Sequence, residues 1–296
     1  MILVTGATGN VGRELLPLLV SRGEDVRVVT RDRARITQAG VEVIEADLKS
    51  ESLAASRSLE GVDKVFLNPA AINDPSGFIA AAAEQGVQRI VLLSANVIDD
   101  DLEWTAQTGF IARRHKMLEG LIEESGLEWT HIRSNMLMSN AYFEILPFLK
   151  TGDTVSQAYG EAQSAPVDER DVAAAVATVL LDDSHVGRVY ALTGPASITE
   201  RDKVRLIGEA IGRPTQFVEL THEQAAERMR ATFPMEHSNG KGDDHIETVL
   251  RYLQAAVGKP ADLSPDVQTL LGREPHNYAE WAYARRAILS EVENPA

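Results

Sequence analysis

The chain contains no cysteine, which excludes disulfides, a thiolate nucleophile and any cysteine-bound metal. No apolar run approaches the roughly eighteen residues that a membrane-spanning helix needs. A secretory leader would need a basic segment and a cleavage site; neither is visible, and the expected location is cytoplasmic. Basic residues are scarce, since 29 lysines and arginines face 44 aspartates and glutamates, for a formal net charge of −15. A nucleic-acid surface needs a basic stripe to displace counterions, so that partner class is excluded, as is a membrane. Metal-ligand patterns are also missing: His222, His237 and His245 are scattered, and Asp99-Asp100-Asp101 reads as a solvated loop, so no metal is expected.

What is present begins with Met1-Ile2-Leu3-Val4, a short apolar run of the kind that forms a buried strand. Thr5-Gly6-Ala7-Thr8-Gly9-Asn10-Val11-Gly12 then places glycines three apart. Residues 13–22 carry leucines at helical spacing up to Gly23, and residues 25–30 read as a second strand. A strand, glycine turn, helix and strand in this order form the first unit of a dinucleotide-binding, Rossmann-type α/β sheet. Gly6 permits a sharp turn, Gly9 lets a diphosphate approach the main chain, and Gly12 lets the helix pack closely. The helix N-terminus offers free N–H groups and partial positive charge to an anion.

Arg31-Asp32-Arg33 follows the second strand. An acid at this place suits the ribose hydroxyls of NAD, and an arginine suits the 2′-phosphate of NADP. Arg31, with Arg13 nearby, favours NADP(H), while Asp32 keeps NAD(H) open. Residues 41–48 form a third strand ending in Asp47-Leu48, where Asp47 fits either an adenine contact or a helix cap. Residues 62–67 and 89–96 form the fourth and fifth strands, whose C-terminal ends line the ligand crevice. The candidate cofactor contacts are Gly6, Thr8, Gly9, Asn10, Val11, Gly12, Arg13, Arg31, Asp47, Leu48, Asn68 and Ser94. Ser94 suits either a cofactor bond or a cap of its own loop.

A helix is expected over residues 105–124, with Phe110, Ile111, Met117, Leu118, Leu121 and Ile122 as its apolar stripe. That winding puts Arg114 within the stripe, His115 on its flank and Lys116 towards solvent. Residues 128–133 form a sixth strand with a structural His131 at mid-length. Met136, Met138, Tyr142, Phe143, Leu146 and Phe148 fit a hydrophobic substrate wall or ordinary core equally well. A polar loop through residue 164, a helix over 168–181 and a strand over 189–193 follow. The remainder reads as mainly helical, with a short strand at 217–220 and a loop around 234–244.

Several strings together resemble one family, the NmrA-like branch of the atypical short-chain dehydrogenase/reductases, which includes triphenylmethane reductase and quinone oxidoreductases. They are Val4-Thr5-Gly6-Ala7-Thr8-Gly9-Asn10-Val11-Gly12; Glu119 with Ser125-Gly126-Leu127-Glu128-Trp129-Thr130-His131-Ile132-Arg133; Asn135, Met138 and Asn140; Pro166-Val167-Asp168 with Arg170-Asp171-Val172-Ala173; Leu192-Thr193-Gly194-Pro195; and Gly272-Arg273 with Trp281-Ala282. The resemblance implies a doubly wound parallel sheet of order 3-2-1-4-5-6-7 with a smaller C-terminal α/β substrate lobe closing over the nicotinamide. On that basis residues 1–135 and 166–195 form the dinucleotide-binding domain, and 136–165 and 196–296 the substrate or partner lobe. It also implies NADP(H) and small electrophilic substrates.

Two departures from the pattern stand out. Ala46 precedes Asp47 where relatives often have glycine, a minor change. The Tyr-x-x-x-Lys pair of catalytic short-chain dehydrogenases is replaced by Ile111 and His115. That tyrosine protonates a developing alkoxide. Without it the expected reaction is hydride transfer from NADPH to a small conjugated acceptor, quinone- or enone-like, whose product anion is delocalised. His115 is the candidate for a proton or ribose contact, and Arg114 is the alternative catalytic residue. The competing reading is a non-catalytic NADP(H) sensor of the NmrA type that binds a regulatory protein partner. An epimerase or dehydratase of nucleotide sugars is disfavoured by the missing pair.

Overall fold

The computed structural model describes residues 1–50, 54–232 and 242–290. His237, and with it most of the loop expected at 234–244, lies outside the described residues. In chain order the first half comprises β1 (Ile2–Val4), α1 (Gly12–Ser21), β2 (Val26–Thr30), β3 (Val41–Glu45), α2 (Ala54–Leu59), β4 (Lys64–Leu67), α3 (Pro75–Glu84), β5 (Arg89–Ala95), α4 (Phe110–Glu124) and β6 (Glu128–Ser134). Then come α5 (Ala141–Glu144), α6 (Leu146–Leu149), β7 (Thr154–Gln157), β8 (Gln163–Ser164), α7 (Glu169–Leu181) and β9 (Arg188–Leu192). The last third holds β10 (Ile198–Thr199), α8 (Glu200–Ile211), β11 (Gln216–Glu219), α9 (His222–Thr232), α10 (Gly242–Ala256), α11 (Asp266–Leu271), α12 (Tyr278–Ala284) and α13 (Arg286–Ser290).

Seven parallel strands form the central sheet in the order β3-β2-β1-β4-β5-β6-β9, as the resemblance implies. Every residue of β1 and β2 is buried because helices cover both faces. Side-chain alternation divides the core: Val4 packs with Leu15, Leu19, Val172 and Val176 on one face, and Leu3 with Leu67, Phe78, Leu118 and Ile122 on the other. The strand order reverses between β1 and β4, so the C-terminal ends of these strands flank a crevice on one rim. Among the described residues no helix is long and apolar enough to cross a membrane.

A separate core lies outside this sheet, built from Met138, Ile145, Leu149, Val155, Val204, Ile207, Tyr278 and Trp281. The stretch read as a polar loop contains two strands, β7 pairing in parallel with β11 and β8 antiparallel with β10. Local pattern could not reveal them, since β7 buries one apolar residue, Val155, fully and finds its partner some sixty residues later. Most of the Met136–Phe148 candidates turn out to be core: Met138 and Leu146 are buried, while Phe143 stays exposed.

The core of the sheet and this second core are joined through the first turn of α7. Asp168, Glu169 and Asp171 are fully buried there, where the helix N-terminus favours negative charge. Asp168 caps the helix by accepting from the Arg170 N–H. Asp171 accepts from Arg273 Nη2 at 2.6 Å and from the His276 N–H at 2.7 Å. Glu169 accepts from Trp281 Nε1 at 3.1 Å and from Arg285 Nη2 at 3.1 Å. Two of the strings quoted for the family, around residues 166–173 and 272–282, are thus the two sides of one joint.

Candidate active site and cofactor cleft

The glycine turn occupies the open rim between β1 and α1. Gly6 adopts φ +65°, and a Cβ there would stand 2.7 Å from Asn68 Nδ2. A Cβ on Gly9 would press on the Gly6 carbonyl oxygen at 3.1 Å, so this glycine serves the turn itself as well as ligand approach. At Gly12 a Cβ would overlap the Gly6 carbonyl oxygen and lie 2.7 Å from Ala7 Cα. Thr5 Oγ1 donates to the Phe66 carbonyl at 3.0 Å and accepts from the Asn68 N–H at 2.8 Å, tying the ends of β1 and β4 together. Among the described residues no side chain caps the N-terminus of α1; the Arg13 and Glu14 N–H groups already donate to the Gly9 and Val11 carbonyls, so the donors left to an anion are those of the turn just before them.

Around this turn the structure gathers Gly6, Thr8, Gly9, Asn10, Val11, Gly12 and Asn68. Arg13 joins them by donating from Nη2 to Asn10 Oδ1 at 2.6 Å. Arg31 is exposed at the end of β2 and makes no hydrogen bond or ion pair among the described residues. Asp32, by contrast, accepts from the Ala34 N–H in a turn of its own. Asp47 accepts from the Lys49 N–H and the Ser50 hydroxyl in a local turn, and Leu48 packs against the core beside it.

Ser94 is buried and donates to Glu119 Oε1 at 2.6 Å. Glu119 also accepts from Arg133 Nε at 2.9 Å and Nη2 at 2.7 Å. Burial pushes the Glu119 carboxyl up, but the bonds from Arg133 and Ser94 outweigh it and hold the group below its ordinary range. Arg133 further donates twice to Asp100, both at 2.7 Å, and Lys116 Nζ reaches Asp100 at 3.1 Å. The loop read as solvated is therefore pinned to α4 and β6, and Lys116 is held rather than free in solvent.

Helix α4 starts at Phe110 rather than near residue 105, because Gly109 takes φ +82° and Gln107 folds the preceding loop onto Asp99 and Leu102. Ile111, placed in the apolar stripe by periodicity, is exposed. Arg114 donates from Nη2 to the carbonyls of Pro69 and Ile72 at 2.7 and 3.2 Å, so its head holds the loop after β4. The His115 Nδ1 is buried with no hydrogen-bond partner among the described residues. Burial, aided by the Arg114 charge and opposed by Glu119, brings His115 down to about 4. At neutral pH it is therefore an uncharged hydrogen-bonding group and not an acid.

His131 and His222 are engaged in contacts of their own. His131 stacks on Trp129 with ring centroids 4.4 Å apart and pairs through Nε2 with Glu123 at 3.1 Å. Glu119, Glu123 and His131 bring ligand atoms within 4.8 Å of one another, but both Glu119 oxygens already accept from the Arg133 cation. His222 bridges Tyr159 and Glu247. Sequence reasoning missed the Glu119–Arg133–Asp100 network; its available signal was an acid one turn beyond His115 on a helix face otherwise directed inward.

The glycine cradle, the uncapped helix and the unpaired Arg31 fit a phosphorylated dinucleotide. Residues 6–183 match the model of the family described as NAD(P)H-binding. A (4-alkanoyl-5-oxo-2,5-dihydrofuran-3-yl)methyl phosphate reductase from Streptomyces griseus is 36% identical over 291 residues, covering 95% of this chain and 96% of that protein. An NAD(P)H azoreductase from Xenophilus azovorans is 28% identical, covering 97% and 98%. In fold, the chain resembles the NADPH complex of a quinone oxidoreductase from Escherichia coli with a TM-score of 0.76 at 23% identity, covering 96% and 99%. The chain belongs to the NAD(P)H-binding family.

Proposed function

We propose that the acceptor of this NADPH-dependent oxidoreductase is a carbon–carbon double bond conjugated to a carbonyl, of the acyl-butenolide or cyclic-enone kind. The observation that carries this reading is the wall of α4. The positions of the absent Tyr-x-x-x-Lys pair hold an exposed Ile111 and a His115 that stays neutral. A localised alkoxide needs a positioned acid, whereas an enolate spreads its charge over the carbonyl and needs none. The name of the Streptomyces griseus relative describes such an acceptor, a ring alkene flanked by the ring carbonyl and an alkanoyl carbonyl.

When bound, NADPH supplies the hydride. The glycine turn and the N-terminus of α1 hold the diphosphate, Arg31 the 2′-phosphate, and the His115 imidazole hydrogen-bonds the nicotinamide ribose. Val97, Leu102, Trp104 and Phe143 are exposed apolar side chains on segments that follow β5 and β6. They form the acceptor wall and exclude water from the transferring pair. The β-carbon of the acceptor takes the hydride, and the α-carbon takes its proton from solvent.

NADPH oxidation measured with acyl-butenolides, cyclic enones, quinones and isolated ketones tests this assignment. Saturation of the conjugated alkene without turnover of isolated ketones is the expected result. No turnover above the uncatalysed rate, with unequal affinities for NADPH and NADP⁺, overturns it in favour of a redox sensor. Replacing Arg31 by alanine weakens NADPH by about 10- to 100-fold, the worth of a charged hydrogen-bond pair, and leaves NADH unchanged. Equal losses for both cofactors in calorimetric titrations would remove Arg31 from the 2′-phosphate.

A further inference from the structure

One buried polar atom beside the cleft takes no part in the binding or hydride transfer described so far. Tyr142 lies on α5, just beyond the C-terminal end of β6. Its half-buried ring packs on Trp281, with centroids 5.8 Å apart. Its hydroxyl oxygen is buried and has no hydrogen-bond partner among the described residues. The charges that act on it are those of Glu169, Arg285, Arg13 and Glu14. Two of these, Arg13 and Glu14, belong to the first turn of α1, the helix that opens from the glycine turn.

None of these neighbours accepts from the hydroxyl. Arg285 Nη2 is engaged with Glu14 at 2.6 Å and with Glu169 at 3.1 Å. Glu169 also accepts from the Trp281 indole, and Arg13 donates to Asn10. A tyrosine hydroxyl kept dry and unpaired is costly, and such groups in native proteins call for an explanation. Its location offers one, a donor for a bound dinucleotide. The sheet order places the adenosine side at β2 and β3 and the nicotinamide side at β4, β5 and β6. A donor carried by the segment after β6, its ring on a Trp281 that is tied through Glu169 and Arg285 to Glu14 in the first turn of α1, meets the dinucleotide where it crosses from one side to the other.

We propose that the Tyr142 hydroxyl donates a hydrogen bond to the nicotinamide-side half of bound NADP(H), at its phosphate or ribose oxygens, and so acts as a positioning residue for the cofactor. Burial keeps this phenol protonated above its ordinary range, which preserves it as a neutral donor next to phosphate. The inference rests on NADP(H) binding and not on the acceptor class, so failure of the acceptor assignment leaves it standing.

The test is calorimetric titration of wild-type protein and Tyr142→Phe with NADPH, NADP⁺ and 2′,5′-ADP, alongside thermal unfolding without cofactor. Phenylalanine keeps the packing on Trp281 and removes only the hydroxyl. NADPH and NADP⁺ should bind about five- to tenfold more weakly, the usual worth of one such bond. Binding of 2′,5′-ADP, which lacks the nicotinamide half, should not change. The unfolding midpoint should hold or rise, since an unpaired buried hydroxyl has been deleted. Unchanged NADPH affinity overturns the proposal, as does an equal loss for 2′,5′-ADP. A lowered midpoint with unchanged NADPH affinity assigns the hydroxyl a purely structural role and also overturns it.

Discussion

Gly12→Ala is expected to abolish NADP(H) binding, with a loss of at least about 100-fold, or roughly 3 kcal/mol. The neighbours of the added methyl group are all main chain: the Gly6 carbonyl, which it overlaps, and Ala7 Cα at 2.7 Å. No flexible side chain can swing away, so the turn itself must open, and overpacking of this kind costs about 1–3 kcal/mol or more. Opening moves the Gly6–Gly9 segment and the first turn of α1 together, which are the parts that face a diphosphate. Gly120→Ala is the matched control. That glycine lies inside α4, and a methyl group added there meets nothing within 4 Å among the described residues. Its replacement should leave binding intact and raise stability by about 0.5–1 kcal/mol. A Gly12→Ala protein that binds NADPH within about threefold of wild type would contradict this role of the turn.

Arg133→Met should destabilise the fold by about 3–5 kcal/mol, the range for removing one partner of a buried ion pair. Arg133 and Glu119 are both nearly inaccessible, at 8% and 2% exposed, and the variant strands Glu119 with only the Ser94 hydroxyl. Replacing Glu119 by leucine as well should recover much of the loss, because the unpaired carboxylate is then gone. The pH dependence has a defined sign. The side-chain bond from Arg133 is the largest influence holding Asp100 at about 2 against an ordinary 3.8. A depressed carboxyl stabilises the folded state fully above its unfolded pKa and loses that contribution as pH falls through its folded pKa. Wild-type protein should therefore shed stability between about pH 4 and pH 2 more steeply than Arg133→Met. Urea unfolding at about pH 7, 4 and 3 measures both effects, and equal stabilities at neutral pH would rule out the network as a support of the cleft wall.

Much of the sheet was legible because its strands are locally complete. Residues 2–4, 26–30 and 89–95 are mainly apolar runs bounded by turns, and burial on both faces lets each be read as a strand without knowing its partner. Arg31 and Asp32 were ambiguous as letters, and geometry separated them: Asp32 is used by its own turn while Arg31 stands open. Helical winding put Ile111 in the apolar stripe, but it lies in the first turn of α4 and is exposed.

The amino-acid order by itself determined what this protein holds. Gly9 and Gly12, between a strand and a helix, answer to contacts within a few residues, which any fold containing that unit must satisfy, and Gly6 answers to its own positive φ as well as to Asn68. The order also exposed the missing Tyr-x-x-x-Lys pair, because an absence at a fixed spacing needs no coordinates to be seen. Only the tertiary structure decided which charges support the cleft and which remain available to it. The bond of Ser94 to Glu119, 25 positions away and 2.6 Å distant, is one such decision. The Tyr142 hydroxyl, buried and unpaired among the described residues, is another. Hydrogen-bond satisfaction is a property of whole surroundings, and those surroundings are assembled from segments that periodicity cannot bring together.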